Sequence, residues 1–185
     1  MFNKNEVPII PSKDVFVGNP DAPVTLVEFG DYESEACVKA HSIVKEVLEI
    51  YKDKVKFNFR HFPMLKIHQK AHKAAEAAIG AAQDNKFWEM HEILLANRRN
   101  LGTISLKSHA KEAGVTNKNF LNDLINGTYG WHVQDDLKEG INLGVTDIPV
   151  FFINGVRMEE DVTVKSLSSQ IETALKKKKS KSVAK

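Results

Sequence analysis

The side chains with the clearest capacity for nucleophilic chemistry are a cysteine and a serine three residues apart. The chain of 185 residues contains a single cysteine, Cys37, and Ser34 precedes it in the stretch Ser34-Glu35-Ala36-Cys37. A thiolate attacks disulfides, and a second thiol is needed to complete dithiol exchange. Because the chain has no second cysteine, an internal disulfide and dithiol cycling by this polypeptide alone are excluded. Monothiol chemistry through Cys37 stays open, with glutathione or a partner protein as the second thiol.

Three histidines have spacings that could serve catalysis or metal binding. His41 follows Cys37 by four residues, so on a helix the imidazole and the thiol would share a face. His68 and His72 have the i,i+4 spacing of a metal-binding pair, but no suitable third ligand is near them in the sequence. We therefore expect His41 to be a packing residue, and His68 and His72 to lie on a solvated helix face.

The apolar pattern around Ser34 and Cys37 predicts a strand, a helix and a second strand. Residues 24–29 are β-branched and apolar enough for a buried strand, which stops at Gly30-Asp31. Ser34 is a good helix N-cap, and apolar residues recur at helical spacing from there to about residue 51. Period-two alternation over residues 55–62 predicts the second strand. Together these elements form a βαβ unit.

The rest of the sequence predicts a helical block, a hairpin and a last helix. From residue 67 to about 144 the pattern is helical, with breaks that separate four or five helices. Residues 150–158 predict a β-hairpin that turns at Asn154-Gly155, and a helix follows from about 164 to 177. This order is that of an α/β protein with a thioredoxin-like fold and an inserted all-helical subdomain.

The predicted elements divide the chain into four parts. Residues 24–63 and 145–177 form the thioredoxin-like domain, and residues 64–144 form the helical insertion. Residues 1–23 are an extended lead-in that ends in a Gly18-Asn19-Pro20-Asp21 turn, and residues 178–185 are a basic tail. We expect the tail to be a solvated chain end, since lysines near a helix C-terminus are favourable.

Several segments, in order, resemble bacterial DsbA-like thiol-disulfide oxidoreductases over about residues 17 to 177. The segments that carry the resemblance are Gly18-Asn19-Pro20-Asp21-Ala22-Pro23-Val24, Glu28-Phe29-Gly30-Asp31-Tyr32, Arg60-His61-Phe62-Pro63, Lys86-Phe87-Trp88-Glu89-Met90-His91, Gly144-Val145-Thr146-Asp147-Ile148-Pro149 and Phe151-Phe152-Ile153-Asn154-Gly155. Each is a weak pattern alone, but their agreement in order with the predicted topology favours this family.

The resemblance implies that Ser34 stands where the family has its attacking cysteine. The family stretch Asp-Tyr-x-Cys-x-x-Cys is replaced by Asp31-Tyr32-Glu33-Ser34-Glu35-Ala36-Cys37, so Cys37 takes the place of the shielded resolving cysteine. A helix N-terminus stabilises a thiolate there, whereas a serine hydroxyl does not ionise. We expect Glu33 and Glu35 to oppose the ionisation of Cys37.

The resemblance also implies a cis peptide bond before Pro149. The loop around it, with Asp147 and Ile148, is expected to lie next to Cys37 and Ser34. There it would present unpaired backbone N–H and C=O groups to a substrate peptide or to glutathione. An ordinary trans proline at the start of a strand is the structural alternative.

Three functions follow as hypotheses. The leading one is thiol-disulfide exchange at a degenerate site with at most monothiol activity, in which Cys37 is the nucleophile and Ser34 a cap and hydrogen-bond donor. The second is a glutathione-binding transferase or isomerase resembling the kappa class, in which Ser34 holds the glutathione thiolate. The third is a non-catalytic peptide-binding module, with Cys37 as a buried packing residue. An engineered cysteine-to-serine change would also account for position 34, although Glu35 and Ala36 depart from the family pattern too.

The charge and the apolar pattern of the sequence argue against nucleic acid and membranes as partners. The formal charge is +2, which gives no global field for nucleic acid or membrane binding. No apolar run near the start suits a signal peptide and no stretch approaches membrane-spanning length, so we expect a cytoplasmic protein. The expected partner is a thiol-containing protein or peptide, or glutathione as a co-substrate, with no metal and no other cofactor.

Overall fold

The computed structural model describes the backbone of residues 8–183 and the side chains of residues 8–177. A mixed sheet lies at the centre of this part of the chain, with its strands in the order β1-β3-β2-β4-β5. In chain order the strands are β1 Val17–Gly18, β2 Val24–Gly30, β3 Val55–His61, β4 Val150–Ile153 and β5 Val156–Arg157.

The central strand β2 fixes where the two halves of the fold meet. It pairs in parallel with β3, from Val24 opposite Val55 to Gly30 opposite His61, as expected for a βαβ unit. On its other side β2 pairs antiparallel with β4, where Phe29 lies opposite Val150. The end of β2 at Gly30 is therefore next to the start of β4.

Helices cover the sheet and build the insertion. They are α1 Glu35–Tyr51, α2 Ala71–Ala82, α3 Phe87–Ala96, α4 Thr103–Glu112, α5 Phe120–Ile125, α6 Gly130–Asn142 and α7 Val164–Val183. The predicted thioredoxin-like fold with an all-helical insertion is confirmed, and the insertion contains five helices, α2 to α6.

The alanine-rich helix α2 lies at the middle of the insertion. Ten of its twelve residues are buried, and α3, α4, α5 and α6 all pack against it. Small side chains permit this close approach: a Cβ atom added at Gly80 would lie 2.9 Å from the Tyr129 ring and 3.0 Å from the Phe120 ring. The main hydrophobic core includes residues of the sheet, α1, α7 and the insertion, so the insertion packs on the same core as the thioredoxin-like part.

The lead-in is more structured than predicted. It contains a 3-10 turn at Ser12–Asp14, and β1 pairs antiparallel with β3. Buried polar groups cause this: the Asn58 amide donates to the backbone oxygens of Ser12 and Val15, both at 2.7 Å, and the Ser12 hydroxyl bonds to Asp136. Such long-range bonds leave no local pattern in the sequence.

Two further expectations concern the chain ends and the membrane. Helix α7 continues to Val183, six residues past its predicted end, so the backbone of most of the predicted tail is helical. Residues 1–7 of the lead-in and residues 184–185 of the tail lie outside the described residues. Within the described part, no helix combines the length and apolarity needed to cross a bilayer.

Candidate thiol site

Ser34 and Cys37 lie at the start of α1, directly after the loop that follows β2. Ser34 is in extended conformation and its Oγ accepts a 3.3 Å hydrogen bond from the Cys37 N–H, which makes it the predicted N-cap of α1. The two residues are 6% and 1% exposed. The site is thus closed over both side chains.

The Cys37 thiol is held in a form that resists ionisation. Burial raises its pKa above the ordinary value, and the nearby Glu28 carboxyl group adds to this. A hydrogen bond from the Ser34 side chain and one from the Asp31 N–H, 3.4 Å from Cys37 Sγ, favour the thiolate but do not outweigh burial. In this closed arrangement Cys37 is a neutral thiol near pH 7.

The prediction that Glu33 and Glu35 oppose the ionisation of Cys37 is wrong, because both carboxylates are turned toward other partners. Glu33 Oε2 accepts from the Lys70 N–H at 2.6 Å. Glu35 pairs with Lys39 at 3.1 Å and with Arg98 at 2.8 Å. The acidic groups that act on Cys37 are Glu28 first and then Asp31.

Glu28 is a site residue that the sequence reasoning missed. It lies on β2, is 1% exposed, and its Oε1 has no hydrogen-bond partner. Burial raises its pKa well above the ordinary value of 4.5, which favours the protonated carboxyl group. A single acid within the otherwise apolar strand of residues 24–30 was the signal that could have identified it.

Asp31 connects the loop after β2 to the loop after β3. Its Oδ1 accepts from the Glu33 N–H at 2.7 Å, and its Oδ2 accepts from the Met64 N–H and from His68 Nδ1, both at 2.9 Å. The site loop, residues 31–34, is therefore fixed from outside by residues 64–70. Arg98 of the insertion adds a bond of 3.5 Å to the Glu33 oxygen.

The histidine pair does not lie on one helix as predicted. His68 belongs to the loop before α2 and binds Asp31, whereas His72 lies on α2 and its Nδ1 is 3.1 Å from Glu76 Oε1. No group of three or more potential metal ligands occurs within residues 8–177. His41 packs against His91, with ring centroids 5.0 Å apart, and its Nε2 is 3.0 Å from Glu92.

The Pro149 loop lies at the same end of the sheet as the start of α1. The pairing of Phe29 with Val150 puts Pro149 beside Gly30, and the Ile148–Pro149 peptide bond is cis. Ile148 is partly buried against the core cluster that contains Cys37. The Ile148 N–H is not free as predicted, because it donates to Asp147 Oδ1 at 2.8 Å.

Exposed apolar side chains occur on two segments at the same end of the sheet as this loop. Leu65 and Ile67 are on the loop that binds Asp31, and Ile141 and Leu143 are at the end of α6, just before residues 144–149. Their exposed fractions run from 45% to 69%. We call these four residues the apolar rim.

The fold and the site can now be compared with known proteins. A model of the family described as Thioredoxin matches residues 11–173. The structure is similar to that of BdbD from Bacillus subtilis (oxidised), with 25% identity, a TM-score of 0.80 and coverage of 87% of this chain and 92% of that one. The chain belongs to the DsbA-like thioredoxin family.

A second DsbA-like structure gives the same fold. The thiol-disulfide exchange protein alpha-DsbA2 from Wolbachia pipientis has a TM-score of 0.72 at 21% identity, with 85% of each chain covered. The family predicted from the sequence motifs is confirmed by the family model that matches residues 11–173 and by the likeness to BdbD.

Curated relatives are much longer proteins. The Na(+)/H(+) antiporter NhaA 3 of Salinispora tropica is 33% identical over 168 residues, which are 91% of this chain but 26% of that antiporter. The Na(+)/H(+) antiporter NhaA 1 of Mycobacterium sp. (strain KMS) is 34% identical over 152 residues, 81% of this chain and 25% of the relative. The DsbA-like chain thus spans about a quarter of the length of these relatives.

Proposed function

We propose that this DsbA-like protein is a monothiol exchanger, in which Cys37 forms mixed disulfides and Ser34 supports its thiolate. The observation that carries the proposal is the Ser34–Cys37 pair at the start of α1. The Ser34 side chain favours the thiolate and its oxygen caps the helix, and the Asp31 N–H donates to Cys37 Sγ, so the polar surroundings of a thiolate are already in place. A free thiol of this kind suits a reducing compartment such as the cytoplasm.

The reaction needs no oxidant beyond its disulfide substrate. The Cys37 thiol loses its proton to solvent, and the thiolate attacks one sulfur of glutathione disulfide or of a protein disulfide. The substrate S–S bond breaks, the Cys37 mixed disulfide forms, and the leaving thiolate takes up a proton. A second thiol from glutathione or a partner reverses the step and regenerates Cys37.

Opening of the site loop must precede this step. Cys37 is 1% exposed, and burial is the largest cause of its raised pKa, so movement of the loop away from the sulfur, with Ser34 kept as the N-cap of α1, exposes the thiol and eases its ionisation. A bound peptide would lie along the Pro149 loop, with a carbonyl replacing Asp147 Oδ1 on the Ile148 N–H. The protein therefore exchanges slowly, at a rate set by loop opening.

Intact mass after incubation with glutathione disulfide tests the proposal. We expect one added glutathione on the wild type at mildly alkaline pH, removed again by reduced glutathione, and none on Cys37→Ser. Ser34→Ala should form the adduct more slowly, because the hydrogen bond that favours the thiolate is lost. Absence of the adduct after prolonged incubation, with a rapid adduct in denaturant as the positive control, would refute monothiol exchange.

A non-catalytic peptide-binding module is the second candidate, and the apolar rim favours it. Four exposed aliphatic side chains at the same end of the sheet as the Pro149 loop are suited to hold an unfolded segment. A pure binder should keep its affinity for an extended apolar peptide in Cys37→Ala and lose it in Leu65→Ser with Ile67→Ser. A Cys37→Ala variant that no longer binds would exclude this candidate.

A glutathione site built on Ser34 alone has less support. The Ser34 hydroxyl is buried and already bonds to Cys37, so it cannot hold a second sulfur without losing the first. Calorimetric titration with reduced glutathione should therefore show no heat that depends on Ser34. Millimolar binding that disappears in Ser34→Ala would overturn this ranking.

A further inference from the structure

A buried hydrogen bond joins the site loop to the helical insertion. The Tyr32 side chain leaves the loop between Asp31 and Glu33, is 1% exposed, and its hydroxyl lies 3.1 Å from His91 Nδ1 on α3. Its ring packs on Phe59, with centroids 5.3 Å apart. The inner side of the loop is thus tied to a helix 59 positions further along the chain.

The surroundings assign the donor and the acceptor. His91 is fully buried and its Nε2 has no hydrogen-bond partner. The rings of Phe59, Trp88 and His41 pack around it, and Nδ1 of His41 has no hydrogen-bond partner. Burial lowers the pKa of His91 well below the ordinary value, so the ring is neutral and carries one N–H. With the proton on Nε2, Nδ1 accepts from the Tyr32 hydroxyl, and the buried phenol proton has an acceptor.

The position of Tyr32 makes this bond relevant to the thiol. Asp31, its neighbour in the chain, donates its N–H to Cys37 Sγ, and Ser34 on the other side caps α1. The outer surface of the loop is held by His68 and Arg98, which are both partly exposed. The Tyr32–His91 bond is the buried counterpart of these surface contacts, where water cannot replace a lost partner.

We propose that His91 is a positioning residue of the thiol site, which acts through Tyr32 to keep residues 31–34 closed over Cys37. The inference rests on the proposed function in that it concerns access to the same thiol. Loss of the bond favours the open loop, and Cys37 then reacts faster with any thiol reagent. The expected gain is about fivefold to tenfold, the size of a single hydrogen bond's effect on a local opening equilibrium.

Alkylation of native Cys37 by iodoacetamide, followed by intact mass, measures this directly. His91→Leu removes the acceptor and Tyr32→Phe removes the donor, so both should react about fivefold to tenfold faster than the wild type. His91→Asn places an amide oxygen near the position of Nδ1 and should restore a rate close to wild type. The double variant Tyr32→Phe with His91→Leu should react no faster than the singles, because one bond is lost in each.

Tyr129→Phe is the matched control, since it removes another buried tyrosine hydroxyl, 3.4 Å from Asp123 in the insertion. Tyr129→Phe should leave the alkylation rate unchanged even if it lowers the free energy of global unfolding. Urea denaturation measures that free energy in parallel. Equal rates for His91→Asn and His91→Leu, or an unchanged rate for Tyr32→Phe, would overturn the proposal. If His91→Leu does not fold, the alkylation rate of Tyr32→Phe alone tests the proposal.

The readout separates this inference from the proposed function. Iodoacetamide needs only an exposed thiol, whereas the glutathione adduct needs disulfide exchange. A protein that shows the Tyr32 and His91 effects without a glutathione adduct would retain the positioning role and lose the exchange activity. The reverse result would retain exchange and remove the role of His91.

Discussion

Replacement of Glu28 by glutamine should make the protein more stable, by an amount that grows with pH. Glu28 is buried on β2, its Oε1 has no partner, and its pKa is raised well above 4.5 by burial. In the unfolded chain the same carboxyl group ionises freely near pH 4.5. Between these two pKa values the folded state holds a proton that the unfolded state has lost, so rising pH favours unfolding.

The size of this pH dependence follows from the one proton that Glu28 binds in the folded state and has lost in the unfolded state. The free energy of unfolding of the wild type falls by about 1.4 kcal/mol for each pH unit in this window through Glu28 alone. Glutamine does not titrate, so its variant escapes this loss. The difference in unfolding free energy, variant minus wild type, should therefore rise by about 1.4 kcal/mol per pH unit above pH 5. Every other titrating group contributes equally to both proteins and cancels.

Urea denaturation at pH 5.5, 6.5 and 7.5 measures the difference, and Glu76→Gln is the matched control. Glu76 is also 1% exposed, but His72 and Lys73 hydrogen-bond to it and its pKa is lowered in spite of burial. Its stabilising effect is complete above pH 4.5 and is lost only as pH falls through the folded pKa. Glu76→Gln should thus be less stable than the wild type at all three pH values, the opposite sign to Glu28→Gln.

The two outcomes distinguish an unpaired buried acid from a paired one. A Glu28→Gln difference that stays flat from pH 5.5 to 7.5 would show that Glu28 is ionised in the folded protein and that the reasoning from burial is wrong. A Glu28→Gln variant that loses stability with rising pH would point to a partner for the carboxylate.

Two other predictions concern the cap of α1 and the buried ion pair. Ser34→Ala should cost about 1 kcal/mol of unfolding free energy by removing the N-cap. It should also raise the pKa of Cys37 further, which the pH dependence of Cys37 alkylation measures. An unchanged pKa would contradict the effect of Ser34 on the thiol. Arg60→Met should cost about 3 to 5 kcal/mol by urea denaturation, because Arg60 Nε donates to the buried Asp136 at 2.7 Å and the anion would lose its cation. The matched variant Glu139→Gln removes the more exposed partner of Arg60 and should cost under about 1 kcal/mol, so equal losses would contradict this account.

Local chemistry explains why the frame of the fold could be predicted from the sequence. The strand pattern of residues 24–30, the capping serine and the Asn154-Gly155 turn each act over a few residues, and each predicted element is present. Their order then restricts the topology to very few alternatives. The start of α1 and the Pro149 loop therefore meet at the expected end of the sheet.

Long-range polar contacts explain what could not be predicted. The spacing of His68 to His72 predicts a shared helix face, yet His68 lies in a loop and bonds to Asp31, 37 positions away in the chain. Tyr32 and His91 are parts of two recognised motifs, but nothing in either motif says that the two side chains bond. The lead-in is structured for the same reason, through Asn58 and Asp136.

The crowded position of α2 sets a limit on how this protein can vary. Four helices take their spacing from its alanine and glycine side chains, so an added methylene there displaces several neighbours at once. Tips of the insertion such as the turn at Gly102, before α4, carry no such restriction, because an added Cβ atom there would meet no heavy atom within 4 Å. Divergence among proteins of this shape should accumulate at those tips, while the middle helix keeps its small residues.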